Sequence, residues 1–480
     1  MSTHITGSKI IKSFLWKFLE RCSVQLTTFI VTVILARILT PAEFGTVAII
    51  LILINFANVI VEGGLTAALI QKKDSDDSDF STIFVSSFTL SILVYLILYY
   101  CAPYIAKFYT NNDLINIIRV LAIVVIPSSI NSIQKAYVSK HLLFNKMFIS
   151  AFISIIISGL TGVYLAYQGY GVWALVIQSL TNQCLVTILM LFFIPWVPKF
   201  NFNIKRFTPL FDFGWKIFLS NFIVYVYEDI RGLLLGKLFT PSVLAYFDRG
   251  KQFPSLIMGN INTSIQTVLF PAFSSQQDNL LKVKQMMRKA TQLSCYIVFP
   301  LLLLLFISAE QIVILLLTDK WLPAVPYIRI FTIALILMPL QSSNMIAIKS
   351  LGYSSITLKL EIIKKVIEAI ILIISFQFNA YIVAYGVLVY NFICLFINLW
   401  PNRKILDYSI SEQLKDITPY AIAAIIPACI CYGLNWLTCK SIYIILLQIS
   451  VGFIIYMFIS LGLRLNAFYT LISILKRIRR

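Results

Sequence analysis

Charged and amide side chains recur at helical intervals inside stretches that are otherwise apolar. Lys17, Arg21, Gln25, Thr28 and Thr32 follow one another three or four residues apart, which puts them on one face of a helix. Asn55, Asn58 and Glu62 repeat the pattern and end at Gly63-Gly64. Further on come Asn221, Tyr225, Glu228, Asp229 and Arg231, then Asp248, Arg249 and Lys251 ahead of Pro254, then Glu361, Lys364, Lys365 and Glu368. In the last group Glu361–Lys365 and Lys364–Glu368 have the i,i+4 spacing of helix ion pairs. An unpaired charge in hydrocarbon costs about 3 kcal/mol or more, so such groups face a water-filled cavity or a partner. The chemistry on offer is binding. Lys17, Arg21, Arg231, Arg249, Lys251, Lys364 and Lys365 could hold an anion, and Glu62, Glu228 and Asp229 could carry a coupling ion. A plainer role stands beside this one. Lys17, Arg21, Lys364 and Lys365 lie near the ends of their runs, where long side chains reach the interface. The four charges from Glu361 to Glu368 could simply neutralise one another.

The elements that must position these residues are membrane helices. Of 480 residues, 59% are hydrophobic and 12% charged, about half the charge of a soluble chain. Mean hydropathy is +0.87. Apolar runs of bilayer-spanning length lie near 14–36, 44–70, 82–105, 114–137, 147–168 and 171–196. A second series lies near 213–236, 243–270, 290–316, 325–347, 358–377 and 380–400, and two more near 415–436 and 441–463. The expected fold is therefore all-α and integral to the membrane, with about fourteen spans. Residues 1–13 are polar and mildly basic, and the run after them lacks a small-residue cleavage site, so it reads as an uncleaved insertion signal.

The net charge of +19 would suggest nucleic acid in a soluble protein. Here the cations sit in short gaps between apolar runs, as the positive-inside rule requires, and no nucleic-acid partner is expected. Alternate gaps are basic: Lys72/Lys73, Lys140/Lys146, Lys205/Arg206, Lys282/Lys284/Arg288/Lys289, Lys349/Lys359 and Arg403/Lys404/Lys415. The opposite gaps hold isolated cations: Arg37, Lys107, Lys237, Lys320 and Lys440. Both termini are thus expected on the cytoplasmic side. The tail 467–480 has Phe468, Leu471, Leu475 and Ile478 at helical spacing between basic residues, the pattern of an amphipathic helix on the cytoplasmic leaflet.

Several classes are disfavoured. The eight cysteines are scattered, mostly within apolar runs, and the histidines are His4 and His141, so neither a disulfide framework nor a metal site is expected. There is no Gly-rich phosphate loop, which argues against ATP drive or any nucleotide cofactor. No outward gap is long enough for a catalytic domain, so an enzyme is not expected.

Ala36-Arg37-Ile38-Leu39-Thr40-Pro41 recurs as Gly236-Lys237-Leu238-Phe239-Thr240-Pro241, an offset of 200 residues. Ile118-Arg119 with Pro127 has a counterpart in Ile328-Arg329 with Pro339. Two six-span repeats running in the same direction are a transporter signature: two lobes that rock about a central site. The expected organisation is a first six-helix lobe (1–200), a second (201–404), two added helices (405–463) and a basic amphipathic tail (464–480).

Leu35-Ala36-Arg37-Ile38-Leu39-Thr40-Pro41-Ala42-Glu43-Phe44-Gly45 resembles the first-loop signature of Wzx-type polysaccharide flippases, members of the multidrug/oligosaccharidyl-lipid/polysaccharide exporter superfamily. Gly169-Tyr170-Gly171-Val172-Trp173-Ala174, Gly250-Lys251-Gln252-Phe253-Pro254 and Val268-Leu269-Phe270-Pro271-Ala272 are similar to later stretches of that family. So are Lys320-Trp321-Leu322-Pro323-Ala324-Val325-Pro326 and Leu360-Glu361-Ile362-Ile363-Lys364-Lys365. The resemblance implies two six-helix lobes around a central cavity plus two C-terminal helices. It implies flipping of an undecaprenyl-diphosphate-linked oligosaccharide from the cytoplasmic to the periplasmic leaflet of the bacterial inner membrane; the mechanism favoured for this is alternating access, which a proton or sodium gradient could reset. Membrane lipid and a polysaccharide polymerase are the other implied partners. By helix and charge alone, it points to Lys17/Arg21, Arg249/Lys251 and Glu62 as cavity groups. Two other readings compete. A multidrug cation antiporter of the same superfamily would need an acidic cavity, against the cation excess here. A membrane polysaccharide polymerase or ligase would need a long outward loop.

The loop charges predict that single cysteines at 72, 205, 282 and 403, in a chain without native cysteines, label only from the cytoplasmic side. Cysteines at 107, 237, 320 and 440 should label only from outside. Outside labelling at 282 together with inside labelling at 320 would reverse the topology.

Overall fold

The computed structural model describes residues 7–72, 74–437 and 439–478. The side chains of Lys17 and Glu228 lie outside the described residues, as do Lys73, the outermost cations of both termini, and the side chains of Leu475 and Ile478. The chain forms two compact units, residues 1–245 and 246–480.

The first unit begins with α1 (Gly7–Ile38), α2 (Pro41–Glu62), the short α3 (Leu65–Gln71) and α4 (Asp77–Tyr109). It continues with α5 (Leu114–Leu121), α6 (Val125–His141), α7 (Phe144–Tyr167), α8 (Val172–Phe193) and α9 (Ile204–Leu238). Helix α10 (Pro241–Ser274) starts in the first unit and runs through the second. Then follow α11 (Leu280–Leu316), α12 (Val325–Leu335), α13 (Met338–Ser350), α14 (Ser354–Ser375), α15 (Ala380–Leu399) and the short α16 (Asn402–Ile405). The chain closes with α17 (Ile410–Gly433), α18 (Ser441–Gly462) and α19 (Asn466–Ile478). No strand occurs among the described residues. Eleven helical stretches have the length and hydropathy to cross a membrane. The three other long helices, α9, α10 and α14, are those that carry Glu228 to Arg231, Arg249 with Lys251, and Lys364 with Lys365. The fold is all-α, and the protein is a multi-pass membrane protein.

Helix ends follow local chemistry. Thr40 caps α2: its hydroxyl accepts from the Glu43 N–H while the Glu43 carboxylate accepts from the Thr40 N–H at 2.6 Å, and Pro41 opens the helix. Thr240 repeats half of this for α10, its hydroxyl accepting from the Val243 N–H at 3.3 Å ahead of Pro241, with a valine where the first copy has Glu43. The offset of 200 residues thus separates two copies of one local structure. Gly63 and Gly64 have φ of 51° and 68°, a left-handed path open to glycine. They end α2, so the run expected as a single span over 44–70 is two helices. Ahead of Pro127, residues Ala122–Val124 form a 3₁₀ turn between α5 and α6. Ahead of Pro339, the helix breaks between α12 and α13. A proline removes one backbone donor and crowds the preceding turn, which accounts for both breaks.

Small residues let the helices of the first unit approach closely. Ser150, Ser154, Ser158, Gly162 and Ala166 recur every four residues on α7, and all are buried. Gly162 of this stripe packs on Gln178 of α8, and the adjacent Gly159 packs on Val31 of α1, the small-residue packing that membrane helices use in place of a hydrophobic drive. A β-carbon on Gly45 would lie 1.7 Å from the Pro241 carbonyl oxygen, so the two Thr-Pro helix starts touch through a glycine. A β-carbon on Gly171 would lie 2.5 Å from the Glu43 carboxylate, which joins the Gly-Tyr-Gly motif to the first signature.

Each unit has an ion-pair knot where the sequence places cytoplasmic loops. In the first, fully buried Asp79 accepts from Lys72 at 2.7 Å and Arg206 at 3.3 Å. Arg206 also donates to Asp76, and this hydrogen bond holds the Asp76 carboxyl below the usual carboxylate range. In the second, Lys284 pairs with Glu412 at 3.0 Å, and Arg288 pairs with Asp416, which also accepts from the Tyr408 hydroxyl at 2.6 Å. Farther along α11, the Tyr456 hydroxyl donates to the Tyr296 carbonyl at 2.7 Å and Ser308 donates to Gln448 at 2.7 Å. These contacts fasten α17 and α18 to the second unit.

The Gly45 contact is testable. Gly45→Ala forces the α2 and α10 starts apart, an overpacking change worth roughly 1–3 kcal/mol, and should lower the melting temperature of purified protein. Gly259→Ala, in a helix with nothing within 4 Å of the new methyl, should leave it unchanged or raise it. Equal melting temperatures for Gly45→Ala and wild type would refute the close approach.

Candidate functional site

In the second unit, three helices turn amide side chains into one cavity of about 650 Å³. Helix α10 presents Asn262 and Gln266 four residues apart, α13 presents Gln341 and Lys349, and α15 presents Asn391 and Asn398 two turns apart. The break before Pro339 restarts α13 just ahead of Gln341. Gln341 joins two of the walls: its amide donates to the Asn391 carbonyl at 3.2 Å, and its oxygen accepts from Asn398 at 3.2 Å. The Asn391 side chain donates to the Val387 carbonyl at 2.9 Å and is held to its own helix. Two acceptors are left over. The side-chain oxygens of Asn262 and Asn398 are buried without a hydrogen-bond partner among the described residues. A buried, unpartnered carbonyl costs about 1–3 kcal/mol, which a hydroxyl-bearing ligand would recover.

The chemistry is that of a neutral polar ligand. Carboxamides donate and accept at once, and so does a sugar hydroxyl. Among the described residues, Lys349, exposed, is the one cation in the cavity lining. No group of three His, Cys, Asp or Glu residues able to hold a metal occurs among the described residues.

The charged residues singled out in the sequence are distributed over both units. In the first, Arg21 is exposed on α1. Glu62 is exposed at the end of α2, about 33 Å of helix from Pro41, so it caps a full hydrocarbon thickness rather than standing at its middle. Lys135 on α6 is a cation in its electrostatic surroundings. On α9, Asp229 is half-buried and Arg231 is buried.

In the second unit, Arg249 is half-buried, bonded to Gln252, with its guanidinium 5.8 Å from the centre of the Trp321 ring. Trp321 is itself fully buried, and Tyr246 meets it edge-on at 6.0 Å. The Gly-Lys-Gln-Phe-Pro and Lys-Trp-Leu-Pro motifs therefore pack together through Arg249. Lys251 is exposed. Lys364 pairs with Glu361 at 2.7 Å and Lys365 with Glu368 at 3.0 Å. Both pairs are i,i+3, where the sequence suggested i,i+4, and Lys364 and Glu368 are buried while Glu361 and Lys365 are half-buried.

Sequence reasoning passed over Asn262, Gln266, Gln341, Asn391, Asn398 and Lys135. Their signal was available in the four-residue step of Asn262 and Gln266 and the two-turn step of Asn391 and Asn398.

The site is thus an amide-lined pocket, with an exposed lysine, among the helices of a multi-pass membrane protein. Residues 34–326, more than half of the chain, match the family described as polysaccharide biosynthesis protein, and the chain belongs to that family. It is similar to the teichuronic acid biosynthesis protein TuaB of Bacillus subtilis (strain 168), 24% identical over 341 residues that cover 70% of each chain. It is also similar to the succinoglycan biosynthesis transport protein ExoT of Rhizobium meliloti (strain 1021), 21% identical over 335 residues covering 70% of this chain and 68% of the relative. Its fold is similar to that of the lipid II flippase MurJ in an inward closed conformation, with a TM-score of 0.74 at 15% identity over 96% of this chain and 99% of the other. The resemblance to polysaccharide flippases of the multidrug/oligosaccharidyl-lipid/polysaccharide exporter superfamily, drawn from six short motifs, is borne out by the family match.

Proposed function

We propose that this protein flips an undecaprenyl-diphosphate-linked oligosaccharide across the bacterial inner membrane by alternating access, and that it is not an enzyme. The observation that carries the reading is the amide-lined cavity, with its two unpartnered acceptors, inside a membrane protein of a polysaccharide-biosynthesis family. Free sugar has no reason to enter a bilayer, whereas a glycan tethered to a lipid is presented there. The names of the relatives supply the context: one acts in teichuronic acid biosynthesis and one in succinoglycan transport. A multidrug cation antiporter is disfavoured by the uncharged amides and single Lys349 of the cavity.

In this reading the glycan hydroxyls bond Asn262, Gln266 and Asn398, with Gln341 keeping the amides in register. The diphosphate is too strongly hydrated to cross hydrocarbon alone and meets cations drawn from Lys17, Arg21, Arg231, Arg249 and Lys251. Lys364 and Lys365 already have carboxylate partners and would contribute only if those pairs open. A proton or sodium ion resets the cycle at Glu62, or at Glu228 and Asp229. The lobes 1–200 and 201–404 are the moving bodies, the helices of 405–463 and the tail 464–480 are additions, both termini face the cytoplasm, and a polysaccharide polymerase receives the product.

Binding by the purified full chain tests the reading. Undecaprenyl-diphosphate-linked oligosaccharide should bind more tightly than undecaprenyl diphosphate alone. Asn262→Ala should narrow the gap by roughly fivefold, the worth of one hydrogen bond, with the melting temperature unchanged. Equal affinity for the two lipids would show that the amides do not read sugar.

A further inference from the structure

A pair of cavities lies away from the amide-lined one, against α11, α17, α18 and α19. One, of about 510 Å³, is almost wholly apolar; Pro300, Leu304, Gly452 and Leu471 are among its walls. The other, of about 530 Å³, is polar and holds Gln285, Lys289, Gln292 and Thr470. Residues 285, 289, 292, 296, 300, 304 and 307 of α11 recur every three or four positions, so both cavities lie along one face of one helix. That face is basic and hydrogen-bonding in its first turns and apolar afterwards. Helix α19 spans the junction: Phe468, Leu471 and Ile472 line the apolar cavity, while Tyr469 and Thr470 line the polar one.

We propose that these two cavities form a binding site for an anionic glycerophospholipid of the leaflet that faces the basic loops, its acyl chain in the apolar cavity and its phosphate at Lys289. Lengths favour this occupant. From Tyr296 to Ile307 the apolar face runs ~16 Å, about half the ~30 Å hydrocarbon thickness, which suits the acyl chain of one leaflet. A polyprenyl chain is several times longer. Charge favours it too. Arg288 is held by Asp416 and Glu412, but Lys289 is exposed and makes no ion pair among the described residues. The segment 466–480 has no acidic residue and carries Lys476, Arg477, Arg479 and Arg480, an arrangement drawn to anionic headgroups.

The test is native mass spectrometry of the detergent-purified full chain with an equimolar mixture of dioleoylphosphatidylglycerol and dioleoylphosphatidylcholine. Wild type should retain phosphatidylglycerol about fivefold over phosphatidylcholine, the gain expected near one basic residue. Lys289→Glu should bring the ratio close to one while the total lipid retained stays high. Gly452→Leu should deplete both lipids, because its side chain fills the apolar cavity; a β-carbon there meets only the Cys431 sulfur, at 3.4 Å. Equal retention of the two lipids by wild type, or an unchanged ratio in Lys289→Glu, would overturn the proposal. So would displacement of phosphatidylglycerol by equimolar undecaprenyl phosphate, which would give the cavity to an isoprenoid, or by glycerol 1-phosphate, which would make it a phosphate site without a lipid.

Discussion

Hydrocarbon offers no hydrogen bonds, so every polar group placed in this fold must find its partner within the chain or on a ligand. That constraint explains most of what is unusual here. Lys364 and Lys365 are tolerated on α14 because each has a carboxylate one turn away. Asn344, Gln413 and Asn402 close a buried amide network at 2.7–2.8 Å between α13, α16 and α17. Gln448 serves Ser308, Asn435 and the Cys431 carbonyl at once, and is fully buried. The amide oxygens of Asn262 and Asn398 have no such partner among the described residues and lie in the lining of the cavity, where a ligand would complete them.

The same constraint separates structural charge from functional charge. The buried Asp79 and Asp416 are each matched by more than one donor, and their clusters tie α4 to α9 in the first unit and α11 to α17 in the second. Arg249 looks at first like an anion ligand, yet it packs against Trp321 and Gln252 and joins two family motifs. Glu62 is exposed at the end of α2.

The fold was largely legible in the sequence. Among the described residues, eleven helical stretches of membrane-spanning length and three other long helices answer to the fourteen apolar runs, because span length is set by bilayer thickness and not by details of packing. The breaks were less legible. Gly63-Gly64 could have continued a helix, and only the left-handed path they adopt divides α2 from α3. The ion pairs of α14 were misjudged by one residue, since i,i+3 and i,i+4 neighbours are equally near on a helix surface. The amide cavity was missed for a deeper reason. Asparagine and glutamine inside membrane helices are often interhelical glue, and Asn344 and Gln413 are that. What distinguishes Asn262 from Asn344 is whether a partner stands opposite, which depends on how α10, α13 and α15 pack.

The claim on which the account turns is that a lipid-linked sugar crosses the bilayer through this protein. The direct measurement uses proteoliposomes that hold the purified full chain and undecaprenyl-diphosphate-linked oligosaccharide in one leaflet, with a glycosidase added outside to report arrival in the other. The account predicts that the sugar becomes accessible far faster than in protein-free vesicles, and that the rate responds to an imposed proton or sodium gradient. Accessibility at the protein-free rate under both gradients, in vesicles that expel an organic cation dye, would contradict it and favour the antiporter.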